Sequence, residues 1–307
     1  MLKDLLPDYL SKAIYMLNFD DLFEIRIRLE RPVMVGYKNT YYYLGASGLC
    51  SENNAIICTK DLMQYVLSKA SNHAIYSIND ELKEGFIAVE DGIRIGVAGN
   101  IVMQNGTILT VKNLSSLNIR IPHQVVGCSY KIAKTILDQT GQVFNTLIIG
   151  SPGTGKTTIL RDLALQINKL RKDLNILILD ERMEIASCYI GIPGLNVGTS
   201  TDIISGGNKD FNIINGIRSM SPDVIIVDEI GTKNDILAIE SALNSGVSIL
   251  ASVHSKNIFE FQKKVEFENI IKSRNFKRYV VISNSDGRGT IENIYDEYLR
   301  PILRFIW

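Results

Sequence analysis

One nine-residue run constrains this chain more than any other feature. Gly150-Ser151-Pro152-Gly153-Thr154-Gly155-Lys156-Thr157-Thr158 fits the pattern G-x-x-x-x-G-K-[ST]. It follows the apolar segment Thr146-Leu-Ile-Ile and leads into Ile159-Leu-Arg-Asp-Leu-Ala-Leu-Gln-Ile, which has helical spacing. A strand, a glycine-rich turn and a helix in that order are the context in which the pattern cradles phosphate. The glycines allow successive backbone N–H groups to turn inward, and the helix N-terminus adds the positive end of its dipole. Lys156 is then the residue for the β- and γ-phosphates, and the Thr157 hydroxyl is a ligand for Mg²⁺. The nine residues from Gly150 to Thr158 are the expected binding segment for ATP, with Mg²⁺ as its companion ion.

The surrounding grammar supports a sheet that can hold such a loop. Short apolar runs recur between helical segments: Asn175-Ile-Leu-Ile-Leu, Val224-Ile-Ile-Val, Val247-Ser-Ile-Leu-Ala-Ser-Val and Tyr279-Val-Val-Ile. Strands without polar alternation are covered on both faces, as in parallel sheets. The second part of the chain is therefore expected to be a doubly wound α/β domain. Ahead of it, Phe23-Glu-Ile-Arg-Ile-Arg-Leu alternates at strand period, and Leu10, Ala13, Ile14 and Leu17 fall on one helical face over residues 8–19. A second helix is expected over 60–71. Strands follow at Gly85–Val89, Ile93–Ala98 and Leu117–Ile121, with a turn at Asn105-Gly106. Pro122 breaks this run, and a helix is expected at 130–139. The boundary falls near Ile121–Tyr130, giving a mixed α/β domain over 1–125 and a phosphate-loop domain over 126–307. A length of 307 residues agrees with about two domains.

Three further strand ends carry chemistry. Ser221-Pro-Asp-Val-Ile-Ile-Val-Asp228-Glu229 ends in two acids, and an acid at the C-terminal end of a neighbouring parallel strand meets the phosphate crevice. Asp228 is the candidate for the metal shell and Glu229 for the base that activates water. Leu179-Asp180-Glu181-Arg182-Met-Glu184 ends another strand, so Asp180 or Glu181 is a second candidate for orienting water or metal. A solvated loop with its own Arg182 pair is the alternative. Ser252-Val-His254-Ser255 ends a third strand, with His254 the candidate γ-phosphate sensor and Ser252 next.

Composition closes off other classes. Lys plus Arg and Asp plus Glu number 33 each, so no global field holds a polyanion. With no aromatic–basic ribbon in view, nucleic acid is not an expected partner. The basic stretch Lys263–Arg278 reads as a solvated helix face because Glu260, Glu266 and Glu268 interleave with it. Four scattered cysteines in no paired spacing argue against zinc and for a reducing cytoplasm. No run of 18 apolar residues spans a bilayer, and Asp4 and Pro7 interrupt any leader. The apolar, basic ending Tyr298–Trp307 is expected to pack on the core. Arg94 and Arg120 on first-domain strands are candidates to meet transition-state charge, with strand-surface arginines the plainer reading.

Taken in order, Phe23-Glu-Ile-Arg-Ile-Arg, Arg94-Ile-Gly-Val-Ala-Gly, Leu117-Asn-Ile-Arg-Ile, the phosphate loop, Leu179-Asp-Glu-Arg-Met-Glu-Ile-Ala, Gly191-Ile-Pro, Ile217-Arg-Ser-Met-Ser-Pro-Asp-Val-Ile-Ile-Val-Asp-Glu-Ile-Gly and Ser252-Val-His-Ser resemble the stage III sporulation AA family of the secretion ATPase superfamily. The resemblance covers nearly the whole chain. It implies a RecA-like core behind a smaller α/β domain, a homo-oligomeric, hexameric ring, and ATP hydrolysis. It also implies a cytoplasmic, peripheral place at a secretion-like channel between mother cell and forespore, on the mother-cell side, with membrane proteins of the stage III sporulation complex as partners. Asp180–Glu184 is similar to the aspartate box of secretion ATPases, and Ser252–Ser255 to their histidine box. In those relatives the water-activating glutamate can lie in the aspartate box, which makes Glu181 the rival of Glu229. Secretion motors usually carry Gly-Glu where this chain has Asp228-Glu229, which favours Glu229 again. A nucleotide-dependent scaffold or switch with little hydrolysis, or a nucleic acid translocase, are the alternative readings.

Overall fold

The computed structural model describes residues 2–72, 78, 82–83, 85–104 and 106–304. The chain divides into two compact units. One is Met1–His123 with Ser187–Gly194, and the other is Gln124–Ala186 with Leu195–Trp307.

The first unit is built on an antiparallel sheet. Its strands are β1 (Leu22–Arg28), β2 (Met34–Tyr37), β3 (Thr40–Gly45), β4 (Gly48–Cys50), β5 (Phe86–Ala88), β6 (Arg94–Gln104) and β7 (Thr107–Arg120), in the order β4-β3-β2-β1-β7-β6-β5. Alternation along β1 sends Ile25 and Ile27 to one face, where they join Val35, Ile87, Ile95 and Ile119 in a core closed by Leu10, Ile14, Leu62 and Val66. The last four come from the helices Asp8–Tyr15 and Lys60–Ala70. The first of these stops earlier than its periodicity predicts. The second starts where expected because the Thr59 side chain accepts the Leu62 N–H and caps it. The segment Ser187–Gly194 is fixed within this unit by a 2.8 Å hydrogen bond from Asn72 Nδ2 to the Tyr189 hydroxyl.

The expected strands at Ile93–Ala98 and Leu117–Ile121 belong to one long hairpin paired from Arg94↔Arg120 to Gln104↔Thr107. Asn105, half of the expected turn, and Glu84 lie outside the described residues. Arg94 and Arg120 are thus cross-strand neighbours. The Arg94 guanidinium lies 4.0 Å from the Phe86 ring centroid, and Arg120 is exposed.

The second unit carries β8 (Thr146–Gly150), β9 (Ile176–Asp180), β10 (Thr201–Ser205), β11 (Val224–Val227), β12 (Ser248–His254), β13 (Arg278–Ser283), β14 (Thr290–Tyr295) and β15 (Pro301–Arg304). Their order is β10-β9-β11-β12-β8-β13-β14-β15. The first five pairings are parallel, and β14 and β15 add antiparallel. The apolar strands are indeed buried on both faces. Leu147, Ile149, Leu177, Ile225 and Ile249 join a core with Ile239, Phe261 and Phe267 on one side. Ile148, Ile178, Ile226 and Leu250 alternate to the other and are also buried. The helix Lys156–Leu170 packs on β8, β11 and β12. Its buried Asp162 accepts from the Gly127 and Ser129 N–H groups at 2.9 and 2.7 Å and from the Ser129 hydroxyl at 2.7 Å. Burial alone raises that carboxyl, but these donors outweigh it and hold it below the usual carboxylate range. The helix expected at 130–139 is the single turn and a half Tyr130–Thr135.

The basic stretch near the end is absorbed by its neighbours. Lys272 pairs with Glu268, Lys277 with Glu297 at 3.5 Å, and Arg278 donates to the Thr135 carbonyl at 3.0 Å. Of the apolar ending, Pro301–Arg304 forms the edge strand β15, and residues 305–307 lie outside the described part.

Candidate functional site

Parallel strands end on one edge, so the segments that follow β8, β9, β11 and β12 share it. The run after β8 is Gly150–Thr158. Gly153 and Gly155 have φ of 75° and 92°, and Gly155 caps the helix Lys156–Leu170. A Cβ at Gly150 would meet the Thr154 hydroxyl oxygen at 2.5 Å, so only glycine fits beneath the turn. The Thr154 hydroxyl closes the turn by donating to the Ser151 carbonyl at 2.8 Å. Ser151, Thr157 and Thr158 are half-buried, and Pro152 and Gly153 are exposed.

Lys156 is buried at the floor of this turn. Its Nζ donates to the Gly150 and Ser151 carbonyls at 2.9 and 3.0 Å and stands 3.1 Å from His254 Nδ1. Burial lowers the ammonium pKa, opposed by the charges of Asp228 and Glu229. An ammonium only donates, so Nδ1 of His254 accepts and Nε2 carries the proton. That Nε2 lies 2.6 Å from Glu229 Oε1. The other oxygen of Glu229 is 2.9 Å from Arg182. A chain of contacts thus runs from Lys156 through His254 and Glu229 to Arg182.

Asp228, at the end of β11, accepts from the Thr157 hydroxyl on one oxygen and from the Ser252 hydroxyl on the other. Ser252 in turn accepts the Glu229 N–H at 2.9 Å. Glu229 sits at φ 55°, a left-handed conformation that a non-glycine residue holds at a cost of about 1–3 kcal/mol. Its backbone is locked there from both sides, since its carbonyl also accepts from Lys209 Nζ at 2.8 Å. Lys209 pairs with Glu181 at 3.0 Å as well. Glu181, Arg182, Lys209, Asp228 and Glu229 line one small cleft.

Sequence reasoning named Lys156, Thr157, Asp228, Glu229, Glu181, Ser252 and His254, and these lie together at the strand ends. One expectation fails. Asp180 cannot orient water or metal: it is buried, and its oxygens accept the Glu184, Ile185 and Ala186 N–H groups at 2.7, 3.0 and 2.8 Å. The loop after β9 curls back onto its own strand-end carboxylate, so the acid holds the turn. Replacing Asp180 by Ala leaves three backbone donors unpaired, two of them buried, and is expected to destabilise the unit by about 3 kcal/mol, while Asn loses less. Thermal melting of the two variants measures this. An unchanged midpoint for the Ala variant would contradict the assignment.

Two residues were missed. Arg182 appeared only as an internal partner for its own acids, yet it reaches Glu229 on a different strand end. Lys209 follows β10, a strand that the pattern Thr201-Asp-Ile-Ile-Ser does not reveal. The available signal was Gly206-Gly207-Asn208 opening the helix Lys209–Met220.

The arrangement can do specific chemistry. The turn has open space at Gly153, a buried cation at its floor, and a hydroxyl–carboxylate pair on one side, which fits a Mg²⁺-bound polyphosphate. Among the described residues no three His, Cys, Asp or Glu cluster to hold a metal alone. A cation here would complete its shell with phosphate oxygens. Among the described residues no helix is long and apolar enough to cross a membrane.

Comparisons with known proteins bear on family and fold. The family model Sporulation stage III, protein AA, matches residues 5–300. The stage III sporulation protein AA of Bacillus subtilis (strain 168) is 35% identical over 300 residues, 96% of this chain and 94% of that protein. The uncharacterised protein ycf45 of Cyanidium caldarium is 30% identical over 156 residues, 49% of this chain and 44% of that one. In fold, the chain is similar to the Legionella pneumophila ATPase DotB, with a TM-score of 0.57 at 13% identity over 94% of this chain and 79% of that one. The pilus retraction motor PilT with bound ADP gives 0.56 at 13% identity, over 88% and 76%.

Proposed function

The chain belongs to the sporulation stage III protein AA family, and from that premise we propose that it is a Mg²⁺-dependent ATP-hydrolysing motor of a secretion-like sporulation channel complex. The observation that carries the reading is the convergence of Lys156, the Thr157–Asp228 pair and the Glu229–His254 pair on one sheet edge. In this reading residues 126–307, apart from the segment Ser187–Gly194 that belongs to the first unit, are a RecA-like ATPase domain, and 1–125 are its leading domain. The amides and side chains of Gly150–Thr158 hold ATP, and Thr157 and Asp228 belong to the Mg²⁺ shell. Bound Mg²⁺ supplies charge neutralisation on the β- and γ-phosphates.

The protein's own groups do the rest. Lys156 leaves the Gly150 and Ser151 carbonyls and His254 Nδ1 to donate to phosphate oxygens. His254 then turns its freed nitrogen to the γ-phosphate or follows Glu229, so its position reports whether that phosphate is present. Glu229 takes a proton from the attacking water, with Glu181 as the rival base. Arg182 and Lys209 orient the two carboxylates. Arg94 and Arg120 are candidates to meet transition-state charge, and their pairing on adjacent strands gives them one common direction. The family and fold support a homo-oligomeric ring, hexameric by resemblance, at the cytoplasmic face of the mother-cell membrane with membrane proteins of the stage III complex.

A second reading has its own observation. Both oxygens of Glu229 are engaged by His254 and Arg182, as in a switch that hydrolyses little until a partner frees the carboxylate. A phosphate-release assay with Mg²⁺–ATP, paired with sizing of the protein in the same buffer, separates them. Steady turnover that chelation with EDTA abolishes, together with a nucleotide-dependent larger species, is expected of the motor. Binding without release favours the switch, and stimulation by single-stranded nucleic acid would instead favour a translocase.

A further inference from the structure

The hairpin between β13 and β14 holds an arginine that neither the motif nor the strand-end argument uses. Its tip reads Asp286-Gly287-Arg288-Gly289, with both glycines at positive φ, 95° and 84°. The turn is fastened from beneath, because the buried Thr290 hydroxyl donates to the Gly287 carbonyl at 2.7 Å and accepts the Asp286 N–H at 3.2 Å. Glu292, the nearest acid on β14, is occupied by the Ser283 and Ser285 hydroxyls. Arg288 is exposed, and no described residue holds its guanidinium in a hydrogen bond or ion pair.

The turn abuts the phosphate loop. A Cβ built on Gly155 would lie 3.6 Å from the Gly289 amide nitrogen, and one on Gly289 would lie 3.9 Å from Ile159 Cδ1. The Arg288 carbonyl carbon is bonded to that nitrogen, so its backbone borders the first turn of the loop helix. The side on which it lies matters. The loop follows β8, which stands between β12 and β13 in the sheet. Asp228, Glu229, Ser252 and His254 all arrive from β11 and β12, whereas Arg288 arrives from β13 and β14. A triphosphate lying in the loop with its terminal phosphate toward the carboxylates must direct its nucleoside to the opposite side, where Arg288 waits.

We propose that Arg288 forms the nucleoside subsite, stacking its guanidinium on the face of the ATP base. A flat, weakly hydrated cation free of acidic partners suits a purine face, and the flanking glycines leave that face open. This rests on the reading that Gly150–Thr158 holds the phosphates, and the test keeps the two apart by using inorganic tripolyphosphate, which has the phosphates and no base.

Dissociation constants for ATP and for tripolyphosphate are measured with Mg²⁺ by calorimetry on the full chain and on Arg288→Ala and Arg288→Lys. The Ala variant is expected to bind ATP about tenfold more weakly and tripolyphosphate unchanged, with Lys in between because it keeps the charge and loses the plane. Equal weakening of both ligands would overturn the base contact in favour of a phosphate contact. No change for either would remove Arg288 from the site. Failure of the unmodified protein to bind tripolyphosphate at all would sink the phosphate-loop reading beneath it. An unchanged melting temperature confirms that the exposed substitution leaves the fold intact.

Discussion

Lys156→Ala is expected to abolish ATP turnover, lowering it by about a thousandfold or more. The side chain is the one buried cation at the floor of the glycine turn among the described residues, and its ammonium already points along the carbonyls of Gly150 and Ser151. Burial makes the charge costly to keep without partners, and Asp228 and Glu229 help retain it. An incoming phosphate offers that ammonium stronger acceptors than two neutral carbonyls and an imidazole. Removing it therefore costs the interaction that grows with charge on the transferring group. The Ala variant also frees His254 Nδ1 from its donor, so the His254–Glu229 contact loosens at the same time. Circular dichroism and melting check the fold, and phosphate release reads the effect. Turnover within a few-fold of the unmodified protein would contradict the role of Lys156.

The second large effect separates the two glutamates. Glu229→Gln is expected to lower kcat by about 10² to 10⁴ while ATP binding is kept. The amide preserves the shape, but its one oxygen can accept from Arg182 or from His254 and not from both, and it cannot take a proton from water. Glu181→Gln is expected to cost less than about tenfold, because Glu181 is held by Lys209 at 3.0 Å and loses an ion pair rather than a base. Rates in the reverse order would assign water activation to Glu181. Two unaffected rates would remove both.

Much of this was legible because the motif states its own context. The loop needs a strand before it and a helix after it, and Thr146–Gly150 and Lys156–Leu170 supply them. Fully apolar strands announced burial on both faces, and acids placed at their ends pointed to Asp228 and Glu229. The rest depended on backbone behaviour that no side-chain pattern encodes. Asp180 has the same position on its strand as Asp228, yet the chain after it folds back and consumes its oxygens. The meander β2–β4 escaped because its first turn uses Lys38 and Asn39, at φ 49° and 63°, rather than Asn-Gly. β10 escaped because it is an edge strand with half-exposed residues, and with it went Lys209. Arg288 carried no signal until the hairpin was seen beside Gly155.

Where a nucleotide settles decides the role of the Gly150–Thr158 turn most directly. A crystal structure with Mg²⁺ and a non-hydrolysable ATP analogue is expected to show the β- and γ-phosphates within hydrogen-bonding distance of the amides between Gly153 and Thr158. Lys156 Nζ would have left its 3.1 Å contact with His254 for a phosphate oxygen. Phosphates bound elsewhere, with that contact intact and Asp228 facing away from the metal, would contradict it.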